Sequence, residues 1–166
     1  MEVYDRSGGG GVRLISWDQA SLTSGWAIFE DGQYVDSGII TKSNKIPIID
    51  RIPQMATTIC EKIKESKADV VVIEGVQTQS NQRTVIDLAR LQGGIMMWCS
   101  VKNISLHILT PTEWRKILNY KMGPKVPRAE LKQQSLDYVK EHFGLDNISE
   151  DRAEAICIGA AASTLI

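Results

Sequence analysis

The run Val70-Val71-Val72-Ile73, closed by Asp69 on one side and Glu74 on the other, constrains this chain most. Continuous β-branched residues without polar alternation suit a strand covered on both faces, as in the parallel part of an α/β sheet. Parallel neighbours need crossover connections, usually helices. Segments of helical periodicity stand on both sides of the run.

The rest of the pattern fills in around it. Val12 to Asp18 reads as a strand. Ser24 to Glu30 and Gln33 to Ile40 read as two more, joined by the hairpin signal Asp31-Gly32. Ile52, Met55, Ile59 and Ile63 have helical spacing, and Pro53 predicts that the regular part starts near it, because proline is tolerated in a first turn. A second helix is expected over 81–101, with Leu88, Leu91, Ile95 and Trp98 on one stripe. Its further apolar residues Met96, Met97 and Cys99 are expected mostly in the core, with a remainder for a twofold interface. Ile104 to Leu109 is a fifth strand and Pro111 to Leu118 a short helix. An irregular stretch over 119–127 precedes a helix from Arg128 to Phe143 that stops at Gly144. The last helix follows Ser149. Its body, Ala155 to Ala162, is apolar all round and is therefore expected to be buried.

The order β-β-β-α-β-α-β-α-α-α predicts an α/β fold with a five-stranded mixed sheet flanked by helices on both faces. The 166 residues suffice for one domain, expected over 12–166. The first eleven residues, ending in four glycines, are expected to be a flexible segment or a remnant of cloning.

Acidic side chains at the ends of apolar elements point to chemistry. Asp18 ends one strand and Glu74 another, while Asp151 and Glu154 open an otherwise apolar helix. If the two strands are neighbours, Asp18 and Glu74 lie side by side. Close like charges hold protons unless a cation sits between them. Residues three apart on a helix face the same way, so Asp151 and Glu154 point together. Four such carboxylates can hold two Mg²⁺ (or Mn²⁺) ions about 3.5–4 Å apart, the spacing used for in-line attack on phosphodiesters. Taken alone, Glu150, Asp151 and Glu154 also suit the positive end of a helix dipole behind a Ser149 N-cap. His107 and His142 share no spacing with these acids, which argues against zinc.

Together these segments resemble the RuvC-type Holliday junction resolvases of the RNase H-like superfamily, with a feel of the compact bacteriophage members. Ile15-Ser16-Trp17-Asp18 followed by Ser24-Gly25-Trp26 resembles the strand with the catalytic Asp and its return. Val71-Val72-Ile73-Glu74 resembles the strand with the catalytic Glu, and Leu88-Ala89-Arg90-Leu91-Gln92-Gly93 the helix after it. Asp151-Arg152-Ala153-Glu154-Ala155 resembles the closing Asp-x-Ala-Asp-Ala helix start. Gln19-Ala20 stands where the family usually has Pro-Gly, and Glu154 where it has Asp; Glu150 could share that ligand role. Gln77 occupies the place of a junction-wedging aromatic, which favours broader action on branched DNA, including forks and flaps.

The resemblance implies an RNase H-like fold and an endonuclease that resolves junctions through paired nicks. Asp18, Glu74, Asp151 and Glu154 are then the catalytic metal ligands, and Lys132 with Arg115 or Lys116 stabilises the extra charge on the scissile phosphate. It implies a homodimer, because a junction is nearly twofold symmetric, and a place in the cytoplasm of a bacterial or phage-infected cell. The net charge is −1, so any DNA-binding surface must be local. Thr112 to Lys132 supplies one: Arg115, Lys116, Lys121, Lys125, Arg128 and Lys132 stand against Glu113 and Glu130. Gln77 and Arg83 extend it, and Trp114 and Tyr120 either stack on bases or anchor the segment. Cys60, Cys99 and Cys157 form no CxxC pair, which suits buried thiols in a reducing compartment. No apolar run reaches membrane-spanning length. The alternatives are a nuclease on RNA or RNA–DNA hybrid and a non-catalytic junction-binding module of the same fold.

Overall fold

The computed structural model describes residues 11–77 and 81–166. Nearly all of the expected flexible leader, and part of the loop after Gln77, lie outside the described residues. The elements run β1 (Arg13–Asp18), β2 (Thr23–Glu30), β3 (Gln33–Thr41), α1 (Ile48–Ser66), β4 (Val70–Glu74), α2 (Gln82–Lys102), β5 (Ser105–Leu109), α3 (Pro111–Ile117), α4 (Arg128–Phe143) and α5 (Glu150–Ser163). They form one mixed sheet in the order β3-β2-β1-β4-β5. β1, β2 and β3 are antiparallel; β4 lies parallel to both β1 and β5. The β2–β3 turn uses Asp31 and Gly32, both with positive φ, which matches the twist of a tight hairpin.

Strand alternation divides the interior. Leu14, Val70 and Val72 face one side with Ala27 and Phe29, where Trp114 of α3, Val139 of α4 and the body of α5 cover them. Ile15, Trp17, Val71 and Ile73 face the other side, under Ile52, Met55, Ile59 and Ile63 of α1 and Leu91, Ile95 and Cys99 of α2. The helices thus lie on both faces, as the pattern predicts. Ser16 and Asp18 share parity with Leu14, and Glu74 with Val72, so both acids belong to the α5 side.

α5 is buried from Ala153 to Ala162. Two glycines admit it. A Cβ on Gly159 would lie 2.5 Å from Ser16 Oγ, and one on Gly25 would lie 1.9 Å from the carbonyl oxygen of Asp151. Ser16 Oγ donates to the Ala155 carbonyl at 2.7 Å and so fastens α5 to β1.

Two expectations need correction. α1 begins at Ile48, well before Pro53, which lies in its second turn. Proline there forfeits one backbone bond, but Pro53 and its upstream neighbour Ile49 are exposed, so water can serve the freed carbonyl while Ile52 anchors the turn. On α2, Cys99 is core, but Met96 and Met97 are exposed, the latter by 65%. Only one stripe of α2 reaches the sheet and α1, leaving its remaining apolar residues on the outside. The three cysteines are free and buried, and no described helix is long and apolar enough to cross a membrane.

Candidate active site

The β1–β4 register pairs Trp17 with Ile73, which sets Asp18 and Glu74 next to one another at the same end of the sheet. On the other side, Asp18 pairs with Gly25, the residue that touches the first turn of α5. The bare Cα of Gly25 therefore lets the Asp151 backbone settle onto the sheet beside Asp18. Ser149 caps this helix, its hydroxyl accepting from the Arg152 N–H at 3.3 Å. Arg152 turns away and donates to Ser37 Oγ at 2.8 Å.

Charge is concentrated here. Burial pushes the Asp18 carboxyl well above its ordinary value, and the nearby Glu74, Glu154 and Asp151 push it further; Lys132 acts against them. Glu74 is raised by burial first and by Glu154, opposed by the Trp114 indole and by Arg115 and Arg128. Trp114 Nε1 donates to Glu74 Oε1 at 2.9 Å. Arg115 pairs with Glu154 at 3.2 Å and its guanidinium lies 4.7 Å from the Trp114 ring centre. Lys132 pairs with Glu150, and that contact raises the lysine's pKa.

The four acids expected from the sequence therefore surround one end of β1 and β4, and Lys132 stands beside them. Among the described residues, no three acidic, histidine or cysteine side chains already converge as the ligands of one ion. Arg115 engages Glu154 and Lys132 engages Glu150, while Trp114 takes one oxygen of Glu74 and leaves the other. The donor set still fits a hard divalent cation. All four groups are carboxylates, and no lysine or arginine among the described residues forms an ion pair with Asp18 or Asp151. A cation there removes the repulsion that otherwise favours protonation of Asp18.

The basic segment is only partly as expected. Lys116, Lys121, Lys125 and Arg128 are exposed. Lys121 is tied to Glu130, and its backbone is held from both sides by the Gln134 amide. Trp114 and Tyr120 are buried edge-to-face at 5.4 Å, so they anchor the segment and cannot stack on bases. Gln77 is exposed and donates to Thr112 Oγ1 at 3.4 Å, and Arg83 is exposed in the first turn of α2.

The family model described as crossover junction endodeoxyribonuclease RuvC matches residues 15–161. The chain belongs to the RuvC family. The RuvC of Caldicellulosiruptor saccharolyticus is 27% identical over 155 residues, covering 89% of each chain. That of Borrelia turicatae is 24% identical over 157 residues, covering 89% of this chain and 96% of the relative. Among solved structures, Thermus thermophilus RuvC in complex with a Holliday junction substrate superposes with a TM-score of 0.73 at 11% identity, covering 93% and 94% of the two chains. The Fowlpox virus resolvase in complex with Holliday junction DNA gives 0.66 at 15% identity, covering 93% and 98%. At these identities the two structures establish the RuvC fold of this chain.

Besides the Arg115–Glu154 pair, sequence reasoning missed two contacts to the acidic cluster: the Trp114 indole on the Glu74 carboxylate, and the Gln19 amide on the Glu74 backbone. The partners are 40 and 55 residues apart, so no spacing rule links them. No local signal marks either partner, since Trp114 stands between Glu113 and Arg115 and Gln19 follows a strand-end aspartate.

Proposed function

We propose that this RuvC-family endodeoxyribonuclease resolves Holliday junctions, and cuts related branched DNA, with one acidic site per chain in a single domain spanning residues 12–166. The observation that carries the proposal is the placement of Asp18 and Glu74 on neighbouring strand ends beneath Asp151 and Glu154 of α5. These four side chains would hold two Mg²⁺ or Mn²⁺ ions, with Glu150 as a further candidate oxygen donor. Such ions, when bound, supply an activated water and charge stabilisation at the leaving oxygen, giving 5′-phosphate and 3′-hydroxyl ends.

The chain's own residues do the rest. Asp18 and Asp151 present carboxylates without cation partners. Glu154 must share or leave Arg115 to act as a ligand, and this frees a guanidinium beside the site. That guanidinium is then a donor for a phosphate oxygen. Lys132 pairs with Glu150 and its charge is felt by Asp18, so its ammonium can offset charge on the attacked phosphate. Lys116, Lys121, Lys125, Arg128 and Arg83 offer exposed positive charge along the approach, with Gln77 beside them, and carry binding without sequence reading.

Two symmetric nicks favour a homodimer. Its support here is the outer face of α2, where Ile86, Met96, Met97 and Val101 are exposed beside a groove of about 560 Å³ shared with α1. A second copy of α2 is the economical cover for that face.

The deciding assay uses labelled four-way, three-way, flap, duplex and RNA–DNA hybrid substrates with and without Mg²⁺. Paired, Mg²⁺-dependent nicks in the four-way junction are expected, lost in Asp18→Asn and Glu74→Gln with binding retained. Undiminished nicking by either variant removes the site assignment, and preferential cutting of the hybrid transfers the site to an RNA substrate.

A further inference from the structure

The β1–β4 backbone ladder stops at Trp17 and Ile73, one residue short of the two acids. On its other side Glu74 stays in register with Leu109 of β5, but toward β1 a side chain takes over from the ladder. Gln19, only 6% exposed, donates through Nε2 to the Glu74 carbonyl at 2.6 Å and accepts from the Glu74 N–H through Oε1 at 3.1 Å. One planar amide thus continues the ladder for one more residue, because it carries a donor and an acceptor side by side. The turn that carries Gln19 is itself pinned. Ser24 Oγ accepts from the Ala20 N–H at 3.0 Å and donates to the Ala20 carbonyl at 2.8 Å. A proline at position 19 could make neither contact to Glu74.

The other end of Glu74 is held from α3. Trp114 is fully buried and donates through Nε1 to Oε1. Its own position is set by Tyr120 and by the capping box at Thr110 and Glu113, which fixes the start of the helix. No donor among the described residues reaches the second oxygen, Oε2. Glu74 therefore has its backbone fixed by β5 and by Gln19 after β1, one oxygen fixed from α3, and one oxygen left for something else.

We propose that Gln19 and Trp114 are positioning residues that together orient Glu74 so that Oε2 is presented to a divalent ion next to Asp18. The proposal rests on the nuclease reading of the acidic cluster and adds the two groups that make its glutamate a preorganised ligand. A glutamate free to rotate loses conformational freedom on binding an ion, whereas one already held does not. Groups that orient a metal ligand from behind commonly contribute about 10–100-fold in metal affinity or activity.

The test measures Mn²⁺ binding to the metal-free protein by electron paramagnetic resonance of the free ion. Wild type, Trp114→Phe, Gln19→Met and Asp18→Asn are compared, with thermal unfolding in EDTA for each. Trp114→Phe keeps an aromatic ring and loses the N–H; Gln19→Met keeps the unbranched length and loses both bonds. Each is expected to weaken Mn²⁺ binding roughly 10-fold or more, beyond any change in the EDTA melt. Single-turnover junction cleavage should recover as Mn²⁺ is raised, while junction affinity in Ca²⁺ stays at the wild-type value. A shape-matched tryptophan analogue with sulfur in place of the indole N–H must behave like Trp114→Phe. Wild-type Mn²⁺ affinity in both Trp114→Phe and Gln19→Met overturns the positioning role while leaving the nuclease reading intact. Wild-type protein that binds no Mn²⁺, or Asp18→Asn that binds it equally well, overturns both.

Discussion

Gly25→Ala probes how closely the site depends on one backbone contact. The added methyl would lie 1.9 Å from the Asp151 carbonyl oxygen and 2.5 Å from its carbon, against ordinary contacts that begin at 3.4 Å. The obstacle is backbone on both sides, β2 below and the first turn of α5 above, so no side chain can rotate out of the way. Relief needs a separation of roughly 1.5 Å, equal to the rise of one helical residue. That shift lifts Asp151 and Glu154 away from Asp18 and Glu74. Overpacking of this kind costs about 1–3 kcal/mol, and each kcal/mol lowers the midpoint of a chain this size by roughly 2–4 °C. Misplacement of reacting groups by about 1 Å can cost ~10²-fold in rate. Gly25→Ala should therefore remain folded, bind junction DNA as wild type does, and cleave at least about 100-fold more slowly in single-turnover assays. Gly93→Ala on α2 is the control, since its methyl meets nothing within 4 Å. Cleavage by Gly25→Ala within twofold of wild type would refute the claim that the α5 backbone sets the spacing of the acids.

The raised pKa of Asp18 has a thermodynamic counterpart. The folded protein holds this proton to higher pH than the unfolded chain, so metal-free stability declines as pH rises from the ordinary carboxylate range through the folded value. In EDTA at neutral pH, Asp18→Asn should melt above wild type, and adding Mg²⁺ should raise wild type but not the variant; equal melts in EDTA count against the crowding of charge. Charge reversal at Lys125 and Arg128 together should flatten the log-affinity against log-salt slope by about 2, and an unaltered slope removes these residues from the DNA path. Met97→Glu, at an exposed position, should fold normally and convert a dimer into a monomer by light scattering. A dimer that survives this change lies elsewhere on the surface.

The sheet and its helical cover were legible because their signals are periodic. The unbroken Val70–Ile73 run belongs to a strand covered on both faces, and the all-apolar body of α5 is buried. The acids at the strand ends were legible for the same reason, since parity assigns Asp18 and Glu74 to one face once β1 and β4 are neighbours. What sequence did not reveal depends on single long-range meetings. Arg115 was expected to meet phosphate, and it meets Glu154 first. Gln19 reads as an ordinary turn residue until its amide is seen to bracket Glu74. Met96 and Met97 look like core by type, but helix orientation, which type alone does not fix, leaves them outside.

The two-sided packing of β1 limits how its length can vary. Odd-numbered Ile15 and Trp17 fill the half beneath α1 and α2, and even-numbered Leu14 and Ser16 fill the half beneath α5. A one-codon insertion or deletion inside β1 would leave a plausible strand yet trade every occupant across the sheet, lodging a carboxylate in oil and a tryptophan among acids. Descendants of this chain can therefore exchange residues within β1 far more readily than they can change its count.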